Sequence, residues 1–173
     1  DIGAGFRLDK TSDSELSRTK DRTIITEAIK LGDIKELNTG VWLNETIRMN
    51  ERFSINAGVR WDRFDVSYKD KLDNNKLSRA NAGILSPKLN FYYQLNDKTQ
   101  LYLTTGRGFH SNDTRVVVQT GGTEILPAAY GADLGIVLKP APDLLLQGAV
   151  WYLQLDQEFV YVGDEGVVEP SGK

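Results

Sequence analysis

The sequence predicts an all-β fold, an antiparallel up-and-down sheet of the kind that forms the wall of a β-barrel. Apolar and polar residues alternate with a period of two through most of the chain, whereas the helical period of 3.6 hardly occurs. Turn-forming residues separate the alternating segments. Short and long connections follow one another in turn, which places the short turns at one end of a meander and the long loops at the other.

Residues 53–61 show the clearest alternation. One face carries Phe53, Ile55, Ala57, Val59 and Trp61, and polar residues or glycine occupy the other. Nine residues of about 3.3 Å each, tilted by about 40°, project to roughly 23 Å, close to the apolar band of about 25 Å in transmembrane barrels. After Trp61 the apolar positions change face, which predicts either a bulge or the part of a strand that lies above the lipid.

The same pattern predicts the remaining strands and turns. We expect about seven strands, at residues 2–8, 37–49, 53–61, 85–95, 100–109, 128–138 and 144–162. Residues 22–31 form either a further strand or an extension of the strand at 37–49. Tight turns are predicted at 50–51, 96–98 and 140–143, and longer polar connections at 9–21, 69–79 and 110–124, with an open tail from residue 163.

Composition narrows the protein class. No apolar run approaches the 18 or so residues that a membrane-spanning helix requires, so the chain is not a helical membrane protein. The absence of cysteine excludes thiol catalysis, thiolate metal sites and disulfides. A net charge of −3 gives no electrostatic reason to expect a nucleic-acid partner. Asp1 follows no basic and apolar leader, so we expect any export signal to be removed or to lie upstream.

Alternation alone is equally typical of a soluble sandwich or a lipocalin-like barrel. Glu45 and Arg107 fall on predicted outward positions and count against lipid contact. The asymmetry of the connections and the nine-residue apolar stretches favour the transmembrane barrel. The balance of these observations favours a membrane barrel, with the soluble barrel as the alternative.

Three runs of sequence resemble the barrel portion of a TonB-dependent outer-membrane receptor. They are "NTGVWLNETIRMNERFSINAGVRWDRFDV", "SPKLNFYYQLNDKTQLYLTTGRGFHSND" and "GADLGIVLKPAPDLLLQGAVWYLQLDQEFVYV". Each run is loose by itself, but together they occur in the order and spacing of that family and cover most of residues 38–162. One departure is the segment from His110 to Asp113, where many relatives have a proline-containing continuation.

The resemblance implies a 22-stranded barrel with an N-terminal plug domain and a TonB-binding segment before the plug. We therefore expect residues 1–173 to be an internal fragment, a partial barrel domain whose plug and C-terminal strands lie outside it. The resemblance further implies a bacterial outer-membrane location, contact with outer-membrane lipid, and TonB-energised uptake of a bulky nutrient such as a siderophore-like metal chelate. A passive porin or structural outer-membrane barrel, and a soluble lipocalin-like binding module, are the alternatives.

The sequence predicts no enzyme, cofactor or metal site, because the only histidine, His110, stands beside Ser111 in a predicted loop without a catalytic constellation. Polar residues of the strands are the better functional candidates, since they would face a lumen, a plug or a solute. These candidates are Arg60, Asp62, Lys88, Asn90 and Asp133. The candidates for ligand contact in an extracellular loop are His110, Asn112, Asp113 and Arg115.

Overall fold

The computed structural model describes residues 1–118, 125–156, 158–162 and 167–171. Seven strands form one antiparallel sheet in sequence order: β1 (Ile2–Lys20), β2 (Ile24–Arg48), β3 (Phe53–Asp70), β4 (Lys76–Asn96), β5 (Thr99–Phe109), β6 (Ala128–Ala141) and β7 (Leu144–Leu155). A short helix, α1 (Thr114–Val117), lies between β5 and β6. The predicted all-β antiparallel meander is confirmed. Among the described residues, no helix has the length and apolar composition needed to cross a membrane.

The three tight turns join β2 to β3, β4 to β5 and β6 to β7, as predicted. Asparagine side chains close two of them. The Asn50 side-chain oxygen accepts hydrogen bonds from the backbone N–H groups of Arg52 and Phe53, at 2.9 and 2.8 Å. The Asn96 side chain accepts one from the Lys98 N–H at 2.9 Å. Such bonds imitate a backbone turn, which explains the choice of asparagine at both places.

The connection predicted at residues 9–21 is wrong, because β1 continues to Lys20 and β2 begins at Ile24. Residues 22–31 are therefore mostly an extension of β2, which was one of the two predicted options. The upper part of β1 is almost entirely polar, so it has no apolar period to reveal it, and the apolar residues of the β2 extension, such as Ile24, Ile25 and Ile29, do not alternate regularly. Backbone pairing and cross-strand contacts hold the extension, among them an ion pair of 3.2 Å between Arg18 and Glu27.

Other boundaries also differ from the prediction. The connection expected at 69–79 is a turn of residues 71–75, in which Asn74 and Asn75 take positive φ. The strand expected over 144–162 ends at Leu155, and a separate strand, β8 (Glu158–Val162), follows. The predicted open tail contains β9 (Val167–Ser171), which pairs with β8. Strands of five residues, such as β8 and β9, have too few positions for periodicity to separate them from loops or from a neighbouring strand.

One face of the sheet carries a continuous apolar surface, here called the belt, because directly paired residues lie on the same face. Val41 pairs with Trp61 and Trp61 with Leu85, while Leu103 pairs with Leu134 and Leu134 with Val150. These side chains are exposed; Val59 is 37% and Leu134 60% accessible. The belt is therefore not the inner surface of a protein core in the part of the chain that the structure describes.

Beyond Trp61 the apolar side chains of β3 lie on the face opposite the belt. Pairing of β2 with β3 runs without a register shift from Gly32↔Asp70 to Arg48↔Ser54, so no bulge causes the change. Val66 and Tyr68 instead pack against the segment between β5 and β6, where Val117 and Ile125 are buried. The second predicted option, a strand that continues above the apolar belt, describes the structure. Each fully buried side chain of this kind contributes about 1.5–3 kcal/mol.

Candidate functional site

A row of polar side chains crosses five strands on the face opposite the belt. Its members are successive partners in the sheet register: Thr46, Asn56, Asn90, Thr104 and Asp133. The Asn56 amide donates to the Thr46 hydroxyl at 2.9 Å, the Asn90 amide donates to the Asn56 oxygen at 3.2 Å, and the Thr104 hydroxyl donates to the Asp133 carboxylate at 3.1 Å. This polar row holds its side chains at fixed positions at the same level as the belt.

Arg60 and Asp62 form an ion pair on the same face. The Arg60 guanidinium donates through Nε and Nη2 to the two Asp62 oxygens, at 2.6 and 2.8 Å, and the Asn38 amide donates to Asp62 at 3.3 Å. Asp62 is only 1% accessible, whereas the Arg60 side chain is 43% accessible. The Arg60 charge also lies 5.2 Å from the ring centroid of Trp42. The pair therefore holds the Arg60 guanidinium in a fixed position and leaves part of it open to solvent or to a partner.

Glycine makes room for this pair. A Cβ atom at Gly40 would lie 2.6 Å from Arg60 Nη2 and 2.7 Å from Asp62 Oδ1, closer than van der Waals contact allows. Gly40 pairs with Asp62 across β2 and β3, so it leaves the space into which both side chains fold. The local sequence thus combines a charged pair with the one residue type that fits opposite it.

Lys88 lies between two glycines, because Gly58 and Gly106 are its partners on β3 and β5. A Cβ atom at Gly58 would come within 2.7 Å of Lys88 Cε. Lys88, Arg60 and Arg107 line one groove of about 350 Å³, and Asn44 and Ser86 are also part of its wall. Three cationic side chains line this groove, and the carboxylate next to it, Asp62, is already paired with Arg60, so the groove suits an anionic group.

Arg107 lies where pairing between β4 and β5 ends, at Lys88↔Gly106. Its Nη1 donates to the Leu85 carbonyl at 3.3 Å, and its guanidinium lies 5.8 Å from the ring centroid of Tyr130. The side chain thus bridges the two separating strands and contacts an aromatic face. These contacts offset part of the desolvation cost of placing a cation on the belt face, where Arg107 pairs with Tyr130.

The four loop candidates lie in the segment that covers the upper part of the sheet. Asp113 caps α1 by accepting a hydrogen bond from the Arg115 N–H at 2.9 Å, and its carboxylate also binds the Arg115 guanidinium. Arg115 Nη1 donates to the Ser14 hydroxyl at 3.4 Å.

Asn112 is buried, and its N–H donates to the Ile125 carbonyl at 3.1 Å. His110 is half-buried, and its backbone N–H donates to the Pro127 carbonyl at 3.4 Å. Contact with a ligand stays a prediction for all four.

Burial alone would raise the pKa of Asp113, but the hydrogen bonds from the Arg115 side chain and backbone outweigh it, so the pKa is lowered. The same bond raises the pKa of Arg115 against the opposing effect of burial. Both groups therefore stay charged at neutral pH. The residue between them, Thr114, donates its hydroxyl to Glu36 on β2 and so connects the loop to the sheet.

The structure brings Asn90 and Asp133 into the polar row and pairs Arg60 with Asp62. Lys88 lies in the next row of paired residues, between Gly58 and Gly106. Sequence reasoning missed Thr46, Asn56 and Thr104, because membership of the row depends on the register between strands. It also missed Asn38, which binds Asp62 from the adjacent strand. Within the described ranges, no group of three or more His, Cys, Asp or Glu side chains could hold a metal ion.

Comparison with known proteins gives a family and a fold. The family model described as "TonB dependent receptor-like, beta-barrel" matches residues 2–171. The solved structure of the ferric citrate transporter FecA in the unliganded form is similar, with a TM-score of 0.70 at 17% sequence identity. The match covers 89% of this chain and 24% of FecA, so the chain spans about a quarter of that structure. No curated protein matches the sequence significantly. The chain belongs to the TonB-dependent receptor family and forms part of its β-barrel domain.

Proposed function

We propose that this chain is part of the barrel wall of a bacterial outer-membrane receptor that takes up a bulky solute with energy supplied through TonB. One observation carries the proposal: a single sheet has an exposed apolar belt on one face and a hydrogen-bonded polar row at the same level on the other. A barrel in lipid requires this division, with apolar side chains towards the hydrocarbon and polar ones towards the lumen. TonB would act through a segment outside these residues.

In this proposal Arg60, Asp62, Lys88, Asn90 and Asp133 face the lumen. The polar row and the Arg60–Asp62 pair would contact the plug domain or the passing solute. Hydrogen-bonded groups at fixed positions suit such contacts because they pay little ordering entropy on binding. The loop residues His110, Asn112, Asp113 and Arg115 would keep the segment above the lumen in place, so that its neighbouring residues can meet a ligand.

We propose an anionic metal chelate as the solute. The groove lined by Arg60, Lys88 and Arg107 supports this choice. Arg60 and Lys88 lie on the polar face, Arg107 lies at a belt position beside the groove, and the nearby carboxylate of Asp62 is already paired with Arg60. The similar structure, FecA, is a ferric citrate transporter, and an iron chelate held by carboxylates is an anionic solute. The charge of the groove, rather than the likeness, is what would select such a solute.

The test uses the full-length protein in a bacterium that lacks other iron receptors. We expect uptake of a labelled ferric chelate in a strain with TonB and none in a matched strain without TonB. TonB-independent uptake, together with steady conductance in a planar bilayer, would indicate the passive porin instead. Recovery of the protein as a detergent-free monodisperse monomer would indicate the soluble binding module, because an exposed belt of this size aggregates in water.

A further inference from the structure

The upper half of β4 has a paired strand on one side only. Its pairing with β3 continues up to Lys76, whereas its pairing with β5 ends at Lys88↔Gly106. Pro87 is the next residue of β4, and a proline has no N–H group to donate to an adjoining strand. Beyond this point β5 leaves β4, and Phe109 at its end packs against the buried cluster. The sheet therefore divides at Pro87, and β4 forms an edge above it.

Backbone groups of β4 point out of this edge. The Leu85 carbonyl accepts a hydrogen bond from the Arg107 side chain of β5 at 3.3 Å, so Leu85 directs its backbone groups towards the β5 side. Every second residue above it does the same, because pairing with β3 has no register shift. These residues are Leu77, Arg79, Asn81 and Gly83. Among the described residues, no other strand or loop pairs with their outward N–H and C=O groups. We call residues 77–85 the open edge.

The open edge lies above the belt. Trp61, the last belt residue of β3, pairs with Leu85, so only the lower end of the open edge reaches the belt. Eight residues of about 3.3 Å each, tilted by about 40°, put Leu77 roughly 20 Å higher. If the proposed function is right, most of the open edge is in water outside the cell. This placement, and nothing else in the inference, rests on the proposed function.

The side chains of the open edge favour one kind of added strand. An unpaired edge can accept any extended segment through main-chain hydrogen bonds, and the side chains then select among segments. Arg79 is exposed and has no ion pair with a described carboxylate; the nearest, Asp65, is bound to Arg63 at 3.1 Å. On the opposite face Ala80 and Ala82 are small and half-buried. An added strand would therefore meet an unpaired cation on its outer side.

A second copy of this chain fits the open edge less well. Two barrels in one membrane have the same orientation, so their β4 strands would run parallel at the same height and place Arg79 beside its own copy. Like charges opposite each other in a sheet are destabilising. We propose instead that the open edge binds an extended acidic segment of another protein as an added strand, with a carboxylate beside Arg79.

The test uses the full-length protein in detergent and three synthetic peptides of about nine residues. The acidic probe alternates threonine and valine around a central glutamate, and the neutral probe has glutamine in its place. The methylated probe has the acidic sequence with methyl groups on its backbone nitrogens, so it keeps the charge but cannot donate main-chain hydrogen bonds. Fluorescence anisotropy measures affinity, and hydrogen exchange of the amides at 77–83 locates the bound peptide.

Two pairs of variants test the two parts of the contact. Asn81→Pro removes one outward N–H of the open edge, whereas Asn81→Ala keeps it. Arg79→Gln removes the unpaired cation, and Arg48→Gln removes an exposed cation at the short-turn end of the sheet. Proline is tolerated at strand edges, and resistance of the barrel to SDS at room temperature checks the folding of each variant.

We expect wild type to bind the acidic probe, with new protection of the outward amides, and not to bind the methylated probe. Asn81→Pro should weaken binding about tenfold and Asn81→Ala should leave it unchanged. Arg79→Gln should weaken binding of the acidic probe roughly two- to fivefold and remove its advantage over the neutral probe. Arg48→Gln should bind both probes like wild type.

Three results would overturn the inference. Equal binding of the methylated and acidic probes would indicate attraction to bulk charge, and so would equal losses in Arg79→Gln and Arg48→Gln. Unchanged exchange at 77–83 in the complex would place the peptide elsewhere. A wild-type dimer that Asn81→Pro dissociates would assign the open edge to a second copy.

The same proteins separate this inference from the proposed function. If wild type takes up the chelate only with TonB but binds no acidic probe, the inference about the open edge alone is wrong. If wild type is recovered as a monomer without detergent, the proposed function fails, whatever the peptides do.

Discussion

Arg60 holds both carboxylate oxygens of Asp62, a residue that is almost completely buried in the wall of the sheet. Asp62 has one further hydrogen bond, from Asn38, and its partner Arg60 is still partly open to solvent. The pair is therefore asymmetric: the buried carboxylate depends on the cation, whereas the cation retains access to water. Loss of the cation should cost more than loss of an exposed ion pair.

We expect Arg60→Gln to reduce the free energy of unfolding of the full-length protein by about 3 kcal/mol, because it leaves Asp62 buried and unpaired. Unfolding in guanidinium, followed by tryptophan fluorescence, measures the change. Arg63→Gln is the matched control: it breaks the pair with Asp65, in which both side chains are more than two-fifths accessible. The control should lose much less, because an exposed ion pair contributes little to stability. Equal losses in the two variants would contradict the asymmetry.

Glycines in the strands differ in how much space a side chain would find above them. A Cβ at Gly135 would meet the Tyr102 ring at 2.3 Å, whereas a Cβ at Gly148 would meet nothing within 4 Å. We expect Gly135→Ala to displace Tyr102, break its 3.2 Å hydrogen bond from Gln147 and cost about 1–3 kcal/mol. Gly148→Ala should be neutral or slightly stabilising, since alanine restricts the unfolded chain. Thermal unfolding of both variants in detergent tests this, and a neutral G135A would refute the packing argument.

The belt was predictable from sequence because it depends only on alternation within each strand. Val59 and Trp61 share a face whatever their neighbours are, and the structure keeps them there. The polar row was not predictable in full. Asn90 and Asp133 are separated by β5, and only the register shows that Thr104 lies between them. Periodicity fixes a face, but cross-strand partners require the geometry of every intervening turn.

The upper part of the molecule shows a second limit. Glu36 and Thr114 are 78 positions apart, yet their side chains are hydrogen-bonded. Beyond the belt β1 is almost entirely polar and has no apolar signal, so the sequence suggested a loop where there is one side of a hairpin. The change of face after Trp61 was the available signal, because apolar residues such as Val66 need a cover. What covers them, the segment around α1, could not be deduced from one strand.

The loop above the sheet should be held by its buried apolar side chains rather than by its short helix. Val117 is fully buried, whereas the adjacent Val116 is only half-buried. We expect Val117→Ala to weaken docking of the loop by about 2 kcal/mol, from lost transfer energy plus a cavity. Val116→Ala, the same chemical change, should cost less than half of that. Hydrogen exchange of the amides at 110–118 measures local opening, and equal protection in both variants would contradict this account.

Acid should release the same loop through Asp113. The pKa of this carboxyl is lowered in the folded state, because the hydrogen bonds from Arg115 outweigh the effect of burial. Because the folded pKa is lowered, the charged Asp113 contributes its full stabilisation of docking above the ordinary carboxyl pKa of 3.8. This contribution disappears as the pH falls through the folded pKa. We expect loop protection against hydrogen exchange to be constant from neutral pH to about 5 and to fall below pH 4, after correction for the intrinsic exchange rate.

Asp113→Asn is the control for this pH dependence. Asparagine still caps α1, so the variant keeps the N-terminal hydrogen bond but loses the ion pair with Arg115. It should show weaker loop protection at neutral pH, by about 1 kcal/mol, and little further loss on acidification. A variant that retains the acid-induced opening of wild type would assign the pH dependence to another carboxyl. Glu36, which accepts the Thr114 hydroxyl, would then be the next group to replace.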